Sequence, residues 1–65
     1  MREYRVFADP KSVDRAASAL VDAKLGTVTY WYTDGFDFLL KDNNLLTRKR
    51  FETILKQRNA SCQIH

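Results

Sequence analysis

Two pairs of residues have the types and spacing to suggest chemistry. Cys62 and His65 stand three apart near the C-terminal end, a thiol nucleophile beside a base. Such a nucleophile needs a rigid cradle and donors for an oxyanion, and a terminal stretch offers neither. The same two side chains also fall short of a zinc site, which has four positions to fill. Asp34 and Asp37 are two carboxylates of the kind that open a metal or acid–base site. A turn accounts for Asp34, and Asp37 reads as a surface residue of the following strand. Gly26 and Gly35 are isolated, so no phosphate loop exists, and neither HExxH nor GxSxG occurs. The expectation is a non-catalytic protein with no cofactor and no metal.

Charge is more informative. Residues 1–41 carry six bases and six acids, whereas residues 42–65 carry five bases and two acids. The whole surplus of +3 therefore lies in the second part, around Arg48, Lys49, Arg50 and Lys56. Three of these bases crowd the start of a helix, where cations are mildly unfavourable. That placement points to an anionic partner, set against the plainer reading of a solvated helix face.

These side chains must be positioned by a chain of 65 residues, enough for one domain, 1–65, and one core. Hydrophobic residues make up 45% and charged residues 29%, the balance of a folded domain rather than a disordered tail. No apolar run reaches the roughly 18 residues of a membrane span, and the first residues lack the apolar stretch of a signal peptide. No membrane partner is expected. Cys62 is the only cysteine, which excludes an internal disulfide and fits a reducing, cytoplasmic setting.

Residues 4–8 read as a short strand ended by Asp9-Pro10, a pair that also suits a helix start. Val13, Ala16, Ala17, Leu20 and Val21 then recur at helical period, and Gly26 is the expected helix stop. Residues 27–33 are β-branched and aromatic, and Asp34-Gly35 is a type I′ hairpin signal. That turn would set Tyr32 opposite Asp37 and Trp31 opposite Phe38. Thr47 is a candidate cap for a second helix over 48–58, with Leu46 and Phe51 at staple spacing. An earlier start at Asn43 or Asn44 competes with it. Residues 61–64 are a candidate last strand.

The order predicts an α+β fold: a ferredoxin-like split βαβ (βαββαβ, or βαββα without the tail strand). Its antiparallel sheet would carry both helices on one face. Cross-strand partners share a face, so Thr29, Trp31, Thr33, Phe36, Phe38 and Leu40 form the more apolar face, assigned to the core. Arg5, Phe7, Tyr30, Tyr32, Leu39 and Lys41 then remain on an open face. The reverse, with Tyr30 and Tyr32 buried, is the competing assignment.

An open aromatic face with a basic rim suits a protein-interaction module: a small inhibitor, adaptor or regulatory subunit, such as a phage or mobile-element accessory protein that blocks host machinery. The expected partner-binding residues are Arg5, Phe7, Tyr30, Tyr32, Leu39, Lys41, Arg48, Lys49, Arg50 and Lys56, facing an acidic protein. A homodimer through the same face is compatible. The alternative is nucleic-acid binding. The outline of sheet aromatics with bases nearby resembles RNA-recognition domains, whose rings stack bases. The run Phe36-Asp37-Phe38-Leu39-Leu40 departs from their signature, lacking its glycines and basic start.

Overall fold

A computed structural model describes residues 3–64. The elements are β1 (Glu3–Phe7), α1 (Val13–Asp22), β2 (Gly26–Tyr32), β3 (Gly35–Leu40), α2 (Leu45–Gln57) and β4 (Ser61–Ile64). The strands form one antiparallel sheet in the order β2-β3-β1-β4. The tail does pair: β4 lies antiparallel to β1, with Val6 opposite Cys62.

Period two decides the sheet faces. Tyr4 and Val6 on β1 and Phe36, Phe38 and Leu40 on β3 all point to one side and are buried. Val13, Ala16, Ala17 and Leu20 of α1 and Phe51 and Leu55 of α2 join them in one core cluster, so both helices cover the same face. Small alanines on α1 admit the large rings. Phe38 stacks on Phe51 with centroids 5.8 Å apart, and Tyr4 tilts against Phe51 at 5.0 Å. The Tyr4 hydroxyl is buried there with no hydrogen-bond partner.

Several local expectations are corrected. Residues 10–12 form a turn whose Ser12 and Val13 N–H groups both reach the Asp9 carbonyl (2.7 and 3.1 Å), so α1 starts after Pro10, with Ser12 at its cap position. Val21 is 46% exposed, outside the apolar stripe. Lys24, not Gly26, takes the left-handed conformation after α1 (φ 59°), and Gly26 already belongs to β2. The cap of α2 is Asn44, whose side chain accepts from Leu46 N–H at 2.9 Å. Thr47 is buried within the helix, and Leu46 is 67% exposed, so no staple closes over Phe51.

The hairpin is the largest correction. Tyr32 pairs with Gly35, Trp31 with Phe36 and Tyr30 with Asp37, so the turn residues are Thr33 and Asp34. No residue of this turn has positive φ, which removes the type I′ geometry. Gly35 is needed for a different reason: a Cβ there would stand 1.9 Å from the Val6 carbonyl oxygen. An irregularity between Val28 and Tyr30 then shifts the register. Val28 consequently packs against the core opposite Phe38, and Thr29 turns to the other side. Trp31 stays beside Phe36 (5.7 Å) but at the sheet edge, 53% exposed.

Candidate functional site

Among the described residues, no element covers the sheet face away from the helices. Cross-strand pairing places Tyr30, Asp37, Arg5 and Gln63 in one row, Tyr32, Gly35, Phe7 and Ser61 in the next, and Thr27, Leu39 and Glu3 in a third. Tyr30 is 60% exposed, while Arg5, Phe7, Tyr32 and Leu39 are half-buried. Five of the sequence-predicted residues, Arg5, Phe7, Tyr30, Tyr32 and Leu39, thus come together. Lys41 lies just past β3, its backbone N–H held by the Leu25 carbonyl at 2.8 Å.

Asp37 organises the centre of this face. It is only 7% exposed, against the expectation of an ordinary surface residue. Arg5 Nε donates to its Oδ1 at 3.3 Å, and the Tyr32 hydroxyl donates to its Oδ2 at 2.9 Å. Arg5 Nη2 also donates to the Tyr32 hydroxyl at 2.7 Å, and the guanidinium carbon lies 4.5 Å from the Tyr32 ring centroid. Tyr30 tilts against Tyr32 at 4.9 Å. At the flank, Thr29 Oγ1 donates to Glu3 Oε2 at 2.8 Å.

The electrostatics follow. The hydrogen bond to Asp37 is the main cause that lifts the Tyr32 phenol above its ordinary value, with desolvation adding to it. At Arg5 desolvation opposes the charge, but the Asp37 bond and the neighbouring Tyr32 and Asp37 charges outweigh it and hold the guanidinium above its ordinary value. The network consumes Arg5 as a free cation. Among the described residues, Asp37 and Glu3 on this face offset the charge of Arg5.

The four helix bases lie elsewhere. Arg48, Lys49, Arg50 and Lys56 belong to α2, which sits on the covered side of the sheet. The structure therefore splits the expected aromatic-and-basic surface into two layers, because the helix that carries the bases spends its apolar stripe on the opposite sheet face. Those bases, from which an acidic partner is expected, lie on the other layer from the aromatic face. Sequence reasoning missed Asp37 as a structural centre, since its partner Arg5 is 32 residues away.

Cys62 sits in β4 beside Val6, half-buried against the core. Burial, helped by the Glu52 charge, pushes its thiol up, away from the thiolate a nucleophile needs. His65 lies outside the described residues, so the expected Cys62–His65 pair has no described geometry. Among the described residues, no three His, Cys, Asp or Glu side chains cluster as metal ligands do, and no helix is long and apolar enough to cross a membrane. Comparison with protein-family models, curated proteins and solved structures finds no match for this chain.

Proposed function

We propose that this chain is a non-catalytic protein-interaction module, an inhibitor, adaptor or regulatory subunit, that binds its partner through the open sheet face. We also read the βαββαβ order with its β2-β3-β1-β4 sheet as a ferredoxin-like split βαβ. The observation that carries the functional reading is the construction of the face. A 60% exposed Tyr30 leans on Tyr32, and Tyr32 is held by Arg5 and Asp37. A pre-set aromatic surface loses little side-chain freedom on binding, and tyrosines are frequent energetic anchors of interfaces. The partner's matching surface is apolar with neutral polar groups, because Arg5 already has its carboxylate.

Affinity capture from the native cell, with wild type, Tyr30→Ser and Lys49→Ala as baits, tests the reading. The expected result is a protein retained by wild type and Lys49→Ala and lost from Tyr30→Ser, while the Tyr30→Ser melting temperature stays near that of wild type. A partner that Tyr30→Ser still holds, or a nucleic acid recovered through this face in place of a protein, overturns it. A second copy of the chain as the Tyr30-dependent partner would make the module a homodimer.

A further inference from the structure

The two helices form a second surface, independent of the sheet face. Where α1 begins and α2 ends, a cleft of about 150 Å³ is lined by Ser12, Arg15, Gln57, Arg58 and Asn59. Along α2 a second cleft, about 260 Å³, is lined by Lys49, Arg50, Thr53, Ile54 and Gln57. Gln57 lines both, so the two clefts adjoin along α2. No carboxylate lines either one among the described residues. Among those residues the ion pair found is Arg5–Asp37, and none of Arg15, Lys49, Arg50 and Arg58 is neutralised in that way.

The end of α2 would ordinarily present carbonyl oxygens, which repel anions. Here three of them, those of Ile54, Leu55 and Lys56, are already bonded. Arg58 N–H reaches the Ile54 and Leu55 carbonyls (3.2 and 3.1 Å), Asn59 N–H the Lys56 carbonyl (3.2 Å), and Ala60 N–H the Leu55 carbonyl (2.8 Å). The left-handed Asn59 (φ 55°) makes this closure. Across the cleft, the Ser12 side chain makes no capping bond. The first cleft is therefore rich in donors: two guanidinium forks, a hydroxyl and two side-chain amides. Guanidinium forks suit the oxygens of phosphate. The volume is below the roughly 300–1,000 Å³ of pockets that enclose drug-sized molecules, so it suits a phosphate group rather than a whole nucleotide.

We propose that the α1–α2 seam binds phosphate groups, with Arg15 and Arg58 as the clamp and Lys49 and Arg50 holding a further phosphate of the same chain. Arg50 and Arg58 are eight residues apart, roughly 12 Å along a helix. One phosphate cannot serve both clefts, and a linear chain of several can. The ligand class is a polyphosphate chain, either free or as a nucleic-acid backbone.

Binding of inorganic tripolyphosphate, read by calorimetry, and of a labelled single-stranded oligonucleotide, read by anisotropy, distinguishes these two sources. Saturable binding of tripolyphosphate alone supports a free polyphosphate, and saturable binding of both probes supports a nucleic-acid backbone. In either case Arg15→Ala and Arg58→Ala each weaken binding about tenfold or more, while Tyr30→Ser leaves it unchanged. For the oligonucleotide, Lys49→Ala lowers the slope of log affinity against log salt by about 0.7, the value for one phosphate contact on a single strand. All four residues are exposed, and melting curves of the variants serve as the folding control. No saturable binding of either probe at low salt, or binding that survives both Arg15→Ala and Arg58→Ala in folded protein, overturns the proposal.

Discussion

Gly35 separates two physical accounts of the same hairpin. If the residue were there for a left-handed turn, asparagine would replace it well, since Asn adopts positive φ more readily than other side-chain-bearing residues. The structure gives it another task. A Cβ at Gly35 would meet the Val6 carbonyl oxygen at 1.9 Å, the Val6 carbonyl carbon at 3.0 Å and Phe7 Cα at 3.3 Å. These are backbone atoms of β1, the strand between β3 and β4. They cannot swing aside as a side chain can, so β1 and β3 must part locally by more than an ångström. Overpacking of this kind costs about 1–3 kcal/mol. The loosened end also holds the Ala8 N–H to Asp34 carbonyl bond at 2.9 Å, worth about 1 kcal/mol.

Gly35→Ala should therefore cost about 2–4 kcal/mol. In a domain of this size each kcal/mol moves the melting temperature by roughly 4–8 °C, so a fall of about 10–30 °C is expected. Gly35→Asn should fall as far, because its Cβ meets the same carbonyl. Thermal and urea unfolding followed by circular dichroism measure both. An asparagine variant within about 0.5 kcal/mol of wild type, beside a clearly weakened alanine variant, would refute the close-approach reasoning and restore the turn.

The core gives a second test: Phe51→Ala removes a ring that is 1% exposed and stacked on Phe38 and should cost about 3–5 kcal/mol, near the whole stability of so small a domain. Leu46→Ala, at 67% exposure, should change stability by no more than about 0.5 kcal/mol, and a loss above 1.5 kcal/mol would bring back the staple. Asn44→Ala removes the bond to Leu46 N–H and should cost about 1 kcal/mol in denaturant titration, whereas Thr47→Val should leave the start of α2 in place. The Cys62 thiol is held above its ordinary value by burial, so the native fold favours its neutral form. Its contribution to stability is full below the unfolded thiol value of about 8.5 and is lost as pH rises through the higher native value. Alkylation near pH 8 should accordingly run slower in native than in unfolded protein, and equal rates would contradict the burial.

What was legible in the sequence was whatever depends on local period. The Val13, Ala16, Ala17, Leu20 stripe and the alternation of Phe36, Phe38 and Leu40 both mark residues that the core buries. Element ends were less legible because tertiary and turn bonds set them. The Asp9 carbonyl gathers two N–H groups before α1 can begin, and nothing in Asp9-Pro10 itself distinguishes that turn from a cap. The irregularity at Thr29 was hidden for a similar reason. Counting back from Asp34-Gly35 assumes an unbroken ladder, yet one residue out of step moves Val28 inward and leaves Thr29 to bond Glu3 on the open side. A charge tally along the chain also adds up residues that the fold places in different layers. That is why Arg48, Lys49 and Arg50 looked like the rim of a surface they do not border.

The position of Asp37 bears on why such a face can remain uncovered. A bare patch of Tyr30, Tyr32, Phe7 and Leu39 would be an association hazard as much as a binding surface. Here a carboxylate stands among these side chains, with one oxygen bonded to Arg5 and the other to the Tyr32 hydroxyl. A partner that covered this face with plain hydrocarbon would desolvate the half-exposed Arg5 guanidinium and gain little in return, since burying a charge costs several kcal/mol before its attraction to a counter-ion is counted. A partner able to bond the remaining lone pairs and N–H groups would avoid that cost. The network thus works against indiscriminate hydrophobic contact and selects for shape and hydrogen bonding. Asp37→Leu supplies the contrast. It should leave the face more adhesive and less selective, with concentration-dependent self-association in sedimentation analysis that wild type lacks. A variant that stays folded and associates no more than wild type would remove this role from Asp37.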